Sequence, residues 1–307
     1  MPLRAAQNDE ALVRIRAVGL NPADAFLIEG RYPGGPKPPF VCGRDAAGEV
    51  VQGDSAGQWK SGQKVAVIQS ATTNLREGTL SEQQWVSAAN LAPLPEGWSL
   101  AEAAAAPLVY QTAWKCLVGP GPLKPGRVVL VTGASGGVGL AAVHLAKGLG
   151  ATVIALSRSP KKQERLKEQG ADFVFSPNEE KLKDHIAQAT NRKGIDVVVE
   201  TVGGASVTQA MHLIGVGGRV SCVGVLAGVE ASIPIPALMF KRASLHGILV
   251  SEDEPPVAQS AWKQIVDILT KTNRRPVVDR CFPFDQTREA FQHLRSDIFG
   301  KVVVEIG

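Results

Sequence analysis

Residues 128–151, VVLVTGASGGVGLAAVHLAKGLGA, decide the fold of this chain. They open with the short apolar run Val128–Val131, which predicts a strand buried on both faces. A glycine-rich turn follows, and apolar residues at helical spacing continue to Gly150, which ends the predicted helix. This order predicts a pyrophosphate cradle, because the turn lets the backbone approach the ligand and the positive helix end attracts the anion. The alternative is an ordinary tight turn in an α/β protein.

The end of the next predicted strand, residues 152–156, indicates which dinucleotide would bind. An Asp or Glu at this place binds the ribose 2′-hydroxyl of NAD. This chain has Ser157 and Arg158 there, with Lys162 shortly after. Hydroxyls and cations suit a 2′-phosphate, so the sequence favours NADPH over NADH. A solvated turn that opens the next helix is the other interpretation.

Bulk composition limits the class of protein. With 307 residues, 44% of them hydrophobic and 20% charged, the chain is typical of a soluble globular protein with room for two domains. It has no apolar run of membrane-spanning length and no signal-peptide pattern. A net charge of +4 that is not clustered argues against a nucleic-acid partner. We therefore expect a cytoplasmic protein without a membrane or nucleic-acid partner.

Cysteine and histidine spacing gives no sign of a metal site. The four cysteines lie far apart without a C-x-x-C pair, and the five histidines form no H-E-x-x-H motif. Reduced thiols in an intracellular protein are the simplest account.

Two different patterns of predicted secondary structure along the chain indicate two domains. Up to about residue 94, short strands joined by Gly, Pro and Asn turns predict a small twisted barrel, with a mobile polar loop over residues 70–78. From residue 128 to 250, strands and helices alternate and predict one doubly wound parallel sheet. The tail is expected to fold back onto the barrel. The predicted domains are residues 1–110 with 252–307, and residues 111–251.

Several ordered motifs resemble the medium-chain dehydrogenase/reductase superfamily, specifically its zinc-independent, quinone oxidoreductase-like branch. The motifs are GLNPADAFLIEGRYP, GRDAAGEV, PLVYQTAW, VTGASGGVG, DVVVETVGG, GGRVSCVG and GKVVVEI. The resemblance implies an α/β protein with a Rossmann domain and a discontinuous GroES-like β-barrel domain. It also implies NADPH as cofactor and a homodimer that pairs through the sheet edge near residues 245–250. The chain starts later in this pattern than typical members, so the first barrel strands are expected to be absent or shortened.

The same resemblance bears on zinc. Zinc-dependent relatives carry a Cys–His pair where this chain has Asn21 and Pro22, and a G-H-E motif where it has Gly43, Arg44 and Asp45. Without thiolate and imidazole ligands a tetrahedral zinc cannot be built, so no metal is expected. We interpret the unusual Arg44 and Asp45 as parts of an intramolecular ion pair.

By position in the family motifs, the resemblance implies a set of cofactor contacts. Asn21 would lie near the nicotinamide ribose, and Thr112 would face the cofactor. Lys301 would present its charge towards the cofactor from the last strand. The remaining implied cofactor-binding residues are Ser135, Gly136, Gly137 and Val138 at the pyrophosphate turn, Ser157, Arg158 and Lys162 at the 2′-phosphate, and Thr201, Gly224, Val225 and Leu226 along the grooves for adenosine and nicotinamide.

Tyr32 is the candidate catalytic residue together with Asn21. It matches the tyrosine that related 2-enoyl thioester reductases use as a proton donor or oxygen-stabilising group. The alternative is a loop aromatic that only packs over the site.

The sequence therefore predicts an NADPH-dependent reductase that transfers hydride to a quinone or an α,β-unsaturated carbonyl compound. One alternative is a reductase of 2-enoyl thioesters on coenzyme A or a carrier protein. Another is a non-catalytic NADPH-binding sensor or scaffold. In each case the expected small partner is an electrophilic acceptor or the cofactor itself.

Overall fold

A computed structural model describes residues 3–7, 9–68, 77–250 and 253–307. The chain divides into two compact units. Unit 1 comprises Met1–Val109, Ser251–Val266 and Arg275–Gly307, and unit 2 comprises Tyr110–Val250 and Asp267–Arg274. Most of the loop predicted over residues 70–78 lies outside the described residues. Within the described ranges, no helix combines the length and the apolar character needed to cross a membrane.

The observed secondary structure follows the two patterns that the sequence predicts. The strands are β1 (Glu10–Gly19), β2 (Asp45–Gln52), β3 (Lys64–Val67), β4 (Gln83–Ser87), β5 (Leu91–Pro93), β6 (Val128–Val131), β7 (Thr152–Leu156), β8 (Phe173–Phe175), β9 (Ile195–Glu200), β10 (Ile214–Cys222), β11 (Ser244–Gly247), β12 (Val278–Pro283) and β13 (Lys301–Glu305). The helices are α1 (Pro22–Ile28), α2 (Leu100–Ala104), α3 (Pro107–Val118), α4 (Gly137–Gly148), α5 (Pro160–Glu168), α6 (Leu182–Ala189), α7 (Ala205–Leu213), α8 (Ile235–Lys241), α9 (Pro255–Lys271) and α10 (Thr287–Leu294).

Unit 1 is built around β1. Its sheet has the order β12-β13-β1-β2-β3-β5, and β4 pairs with the first half of β1 while β13 pairs with the second half. Alternating residues of β1, including Val13 and Ile15, are fully buried in the core of this unit, whereas Arg14 between them is exposed. This alternation is the pattern of a strand with one buried face.

Unit 2 contains a parallel sheet with the order β11-β10-β9-β6-β7-β8. Its central strands β6 and β9 are almost wholly buried, which explains their continuous apolar runs Val128–Val131 and Val197–Val199. The predicted doubly wound sheet and the α/β fold class are thereby confirmed.

Some predicted boundaries differ from the structure. The sequence predicts strands over residues 171–176, 218–224 and 245–250; β8 and β11 are shorter than predicted, and β10 begins earlier. Helix α8 lies in a stretch for which no helix was predicted, because the prolines around its start obscure the helical pattern. Residues Asp267–Arg274 group with unit 2 instead of the predicted tail domain. The physical reason is local packing, since Ile268 lies over Gly148, and the Arg274 guanidinium donates to the carbonyl of Glu168 at 2.7 Å.

A buried polar chain fixes α4, the helix after the glycine turn, against α3. The Tyr110 hydroxyl donates to His144 Nδ1 at 2.8 Å, and His144 Nε2 donates to Gln169 Oε1 at 2.9 Å. Burial lowers the pKa of His144 to about 4, so the imidazole is neutral and its Nδ1 can accept the bond from Tyr110. The helix that opens at the glycine turn is therefore anchored by specific contacts as well as by apolar packing.

One edge of the unit 2 sheet carries exposed apolar side chains. β11 is the last strand on this side of the sheet. The exposed apolar residues on β11 and in the segments around it are Val229, Ile235, Met239, Phe240, Leu245 and Leu249. An exposed strand edge flanked by apolar side chains is typical of an interaction surface.

Candidate active site

The glycine-rich turn after β6 has the shape that a pyrophosphate needs. Gly133 has φ +53°, and a Cβ at this position would come within 2.5 Å of Thr201 Oγ1. The turn is closed by a hydrogen bond from Gly136 N to Gly133 O at 3.0 Å, and α4 begins at the next residue. Gly136 caps α4 without a side chain, so the first-turn N–H groups of the helix are left for an anion.

The structure brings most of the predicted cofactor residues to one edge of the unit 2 sheet. Because the strands are parallel, the loops after β6, β7, β9 and β10 all leave from their carboxyl ends, where ligands bind in such sheets. After β6 lie Ser135, Gly136, Gly137 and Val138, all half-buried; after β7 lie Ser157, buried, and Arg158, exposed; after β9 lies Thr201, half-buried; after β10 lie Gly224, half-buried, and Val225 and Leu226, both exposed.

Two predicted cofactor residues lie on helices instead of strand ends. Lys162 is buried in the first turn of α5. Thr112 is half-buried on α3, a helix that is held beside β10 by a bond from the Ser221 hydroxyl to the carbonyl of Cys116 at 3.0 Å.

Thr201 follows β9 and contacts the segments that follow β6 and β10. Its hydroxyl donates to the carbonyl of Thr132 at 2.8 Å, and its backbone N–H donates to the Thr132 hydroxyl at 2.9 Å. The loop after β10 also approaches Thr201 closely, because a Cβ at Gly224 would lie 1.9 Å from Thr201 O. The Thr201 hydroxyl proton is therefore engaged within the protein, and towards a ligand this side chain can only accept a hydrogen bond.

In unit 1, Asn21 and Lys301 meet in one buried cluster, although 280 positions separate them in sequence. Lys301 Nζ donates to Asn21 Oδ1 at 2.6 Å and to Asp45 Oδ2 at 3.2 Å. Asn21 Nδ2 also donates to Asp45 Oδ2, at 2.9 Å. All three side chains are buried, so the predicted catalytic Asn21 and the predicted cofactor residue Lys301 bind each other and a carboxylate that had no predicted site role.

Asp45 connects this cluster to the start of α3. Its second carboxylate oxygen accepts the backbone N–H of Leu108 at 2.7 Å, and its carbonyl accepts the Thr79 hydroxyl at 3.0 Å. A carboxylate at the first turn of a helix is favoured by the helix dipole. Asp45 therefore fixes the ends of β2 and β13 and the first turn of α3 relative to one another.

A second pair of charges lies beside the first. Asp24 is fully buried, accepts the backbone N–H of Asn21 at 2.8 Å, and lies 4.0 Å from Arg44 Nε. Burial raises the pKa of Asp24 to about 6, and neighbouring cations oppose that rise. Arg44 and Asp45 are thus each ion-paired, as interpreted from the sequence, but with Asp24 and Lys301 rather than with each other.

Tyr32 is half-buried at this cluster. The guanidinium carbon of Arg44 lies 4.5 Å from the centre of the Tyr32 ring, a cation–π contact that fixes the ring. Asp24 and Asp45 are the site residues that sequence reasoning missed, and the only signal was the unusual Arg44-Asp45 pair, which predicted an ion pair but no site role.

The chain shares both of its domains with known families. Residues 7–96 match the alcohol dehydrogenase GroES-like domain, and residues 137–271 match the family described as zinc-binding dehydrogenase. A quinone oxidoreductase-like protein 2 homolog from Nematostella vectensis is 31% identical over 95% of this chain and 80% of its own length. Human quinone oxidoreductase is 28% identical over 97% of this chain and 89% of its own.

A solved structure supports the same assignment. The quinone oxidoreductase from Thermus thermophilus, whose structures include a complex with NADPH, superimposes with a TM-score of 0.81 at 31% identity, covering 99% of this chain and 94% of that one. The chain belongs to the medium-chain dehydrogenase/reductase superfamily. Within it, the chain falls in the quinone oxidoreductase-like branch, so it is an oxidoreductase of a family that binds nicotinamide cofactors.

We predict that Lys301→Met strongly destabilises unit 1. The substitution leaves Asp45 buried without its cation, which costs about 3–5 kcal/mol in the free energy of unfolding. Adding Asp45→Asn removes the uncompensated charge and is expected to recover part of the loss. Urea unfolding followed by tryptophan fluorescence measures this, because unit 1 contains Trp59, Trp85, Trp98 and Trp262.

Lys64→Met is the matched control, because Lys64 is an exposed lysine in the same sheet. Its free energy of unfolding should stay within about 0.5 kcal/mol of the wild-type value. If Lys301→Met were equally mild, the cluster would not hold the fold together.

Proposed function

We propose that the protein is an NADPH-dependent reductase that transfers hydride to a quinone or an α,β-unsaturated carbonyl compound without zinc. The observation that carries the proposal is the glycine turn from Gly133 to α4, whose uncapped helix start suits a pyrophosphate. Bound NADPH would supply the hydride. The relatives named quinone oxidoreductase support the acceptor class.

The residues at the position of the family's catalytic zinc do not fit that ion. Asn21, Pro22 and Arg44 offer neither thiolate nor imidazole, and the cations of Arg44 and Lys301 already pair with the two buried carboxylates. In the described part of the chain, no group of three or more His, Cys, Asp or Glu could hold a metal ion.

In this proposal Tyr32 supplies the proton. Its phenol would donate a hydrogen bond to the carbonyl oxygen of the acceptor, or a proton to the adjacent carbon, as hydride arrives. The contact with Arg44 holds the ring in a fixed orientation, so that the hydroxyl is presented in one direction. Asn21 is held rigidly by Lys301 and Asp45, which suits a role in positioning the nicotinamide ribose.

The acceptor class is tested by NADPH consumption with 1,4-benzoquinone, 9,10-phenanthrenequinone, a simple enone and crotonyl-CoA. We expect turnover with the quinones or the enone. With the enone, Tyr32→Phe should lower kcat by about 10²-fold, because general acid catalysis is worth at least that much. The dissociation constant of NADPH should not change.

A comparison of Tyr32→Phe with Tyr32→Leu separates the effect of the hydroxyl on kcat from the effect of the ring, because Phe keeps the contact with Arg44 and Leu removes it. A Tyr32→Phe variant with wild-type kcat would leave Tyr32 with a packing role only. Turnover with crotonyl-CoA alone would identify a 2-enoyl thioester reductase. Tight NADPH binding without turnover on any acceptor would favour a sensor or scaffold.

The preference for NADPH is proposed to come from the loop after β7. Arg158 is exposed directly beyond the strand end, next to Ser157, and no carboxylate follows the strand to bind a 2′-hydroxyl. Arg158 would bind the 2′-phosphate, and Lys162 in the first turn of α5 would add a second positive charge.

Arg158→Ala is expected to raise the dissociation constant of NADPH about tenfold or more, because a charge-assisted hydrogen bond contributes about 1.5–3 kcal/mol. The constant for NADH should stay within about twofold, since NADH lacks the 2′-phosphate. Fluorescence titration with both cofactors measures the two constants. Lys167→Ala, at the far end of α5, is the control. A wild-type preference for NADH would refute the assignment.

We further propose a homodimer that pairs through β11. The strand ends the sheet, and Met239, Phe240 and Leu245 nearby are exposed by 64%, 80% and 40%. Two copies related by a twofold axis would pair these strands edge to edge and cover the apolar side chains of both. The same surface then serves both copies, which closes the assembly.

Phe240→Lys is expected to convert this dimer to a monomer, because it places a charge inside the apolar surface. Light scattering after size-exclusion chromatography gives the mass. The control is Val257→Lys on α9, which changes another exposed apolar residue, at 56% exposure, in unit 1. A monomeric wild type, or equal dissociation by Val257→Lys, would rule out this interface.

A further inference from the structure

A buried carboxylate lies at the centre of the cofactor edge of unit 2. Glu200 is the last residue of β9, and its side chain is wholly inaccessible to solvent. One carboxylate oxygen accepts the backbone N–H groups of Val202 at 2.6 Å and Gly203 at 2.9 Å, and the Thr132 hydroxyl at 3.1 Å. The other oxygen accepts the Ser206 hydroxyl at 2.7 Å. All four donors are neutral groups.

The four hydrogen bonds of this site suit a carboxylate, which accepts all of them. An ionised carboxylate only accepts hydrogen bonds, and it has room for all four of these donors. A buried charge is tolerated when it is saturated with hydrogen bonds in this way. A glutamine could keep its carbonyl oxygen on three of the donors and donate its N–H₂ group to the Ser206 hydroxyl, so Glu200→Gln removes the charge while it keeps the shape of the side chain.

The four donors belong to segments that the cofactor is expected to touch. Thr132 leads directly into the glycine turn, and its hydroxyl also accepts the Thr201 N–H at 2.9 Å. Val202 and Gly203 form the loop after β9, and Ser206 lies in the first turn of α7. A single carboxylate thus connects the glycine turn, the loop after β9 and the start of α7.

The carboxylate also occupies two backbone N–H groups that point the same way. A pair of N–H groups in a turn attracts anions. Because Glu200 occupies the pair at Val202 and Gly203, these two N–H groups are not available to an anion, whereas the first turn of α4 is. We therefore expect the pyrophosphate to bind at the first turn of α4 and not at the loop after β9.

We propose that Glu200 is a positioning residue for the nicotinamide cofactor. Its negative charge holds Thr132, Thr201 and the Gly203 turn in the arrangement that the dinucleotide binds, and it touches no reacting atom. This inference rests on the proposed cofactor function and adds a residue to it for which the sequence analysis predicted no role.

The experiment compares Glu200→Gln with Asp196→Asn. Asp196 lies at the opposite end of the same strand, where it accepts the Val128 N–H at 2.8 Å and pairs with Arg127 at 2.6 Å. Both variants change a carboxylate to an amide at a junction of β6 and β9, so both should lower the melting temperature. Only Glu200→Gln should raise the dissociation constant of NADPH, by about tenfold or more, while Asp196→Asn stays within about twofold.

The titrations are made on the full-length protein at a temperature at which both variants are folded. Glu200→Asp keeps the charge and should bind NADPH more tightly than Glu200→Gln does. Equal dissociation constants for Glu200→Gln and Asp196→Asn would overturn the inference and leave Glu200 a structural residue. A wild type that binds neither NADPH nor NADH would instead overturn the proposed function.

If Glu200→Gln does not fold, Ser206→Ala removes one of the four donors at a smaller cost. The carboxylate then loses one of its four hydrogen bonds, so the dissociation constant of NADPH should rise about threefold or more. An unchanged constant in Ser206→Ala would overturn the inference in that case.

Discussion

Close approach between chain segments at the carboxyl edge of the parallel sheet is the constraint on which the proposed cofactor site depends. The Gly133 turn fits against Thr201, and Thr201 fits against Gly224, at distances that leave no room for a Cβ. Such contacts require glycine at the crossing points and hydrogen bonds that fix the crossing segments. Glu200 and Thr132 supply those bonds from inside the protein. These contacts within the protein fix the relative positions of the segments at this edge.

Unit 1 satisfies a different constraint, the burial of charge. Two buried carboxylates, Asp24 and Asp45, lie beside two cations, the buried Lys301 and the half-buried Arg44. Each ion would be costly alone, and the cluster balances only because all four are present. Side-chain cations pair with both carboxylates. This arrangement fixes Asn21 and places Arg44 against Tyr32.

Each of the two units holds residues of the proposed site in fixed positions. Hydride transfer needs the reacting carbon atoms to be held in one geometry. A nicotinamide cofactor supplies the reactive group itself, so the protein contributes mainly binding and orientation. In unit 2 the glycine turn and the strand-end loops form the cradle, and α4 is anchored through His144 and Tyr110. In unit 1 the proposed proton donor is held by a cation–π contact instead of a flexible loop alone.

The sequence by itself determined the fold class, the parallel sheet and the family, because the glycine turn and the buried strands leave a local pattern that one stretch of chain carries. It also placed Ser135, Ser157 and Thr201 correctly at strand ends, since parallel topology fixes which edge those ends share. Only the tertiary structure joined Lys301 to Asn21 and Asp45, and Glu200 to Thr132 and Ser206. These partners lie in different strands, loops and helices, and a charged residue in an apolar motif shows that a partner exists without showing which one. Their pairing is decided by packing, because a buried charge is stable only where the fold brings its donors and counter-ions together.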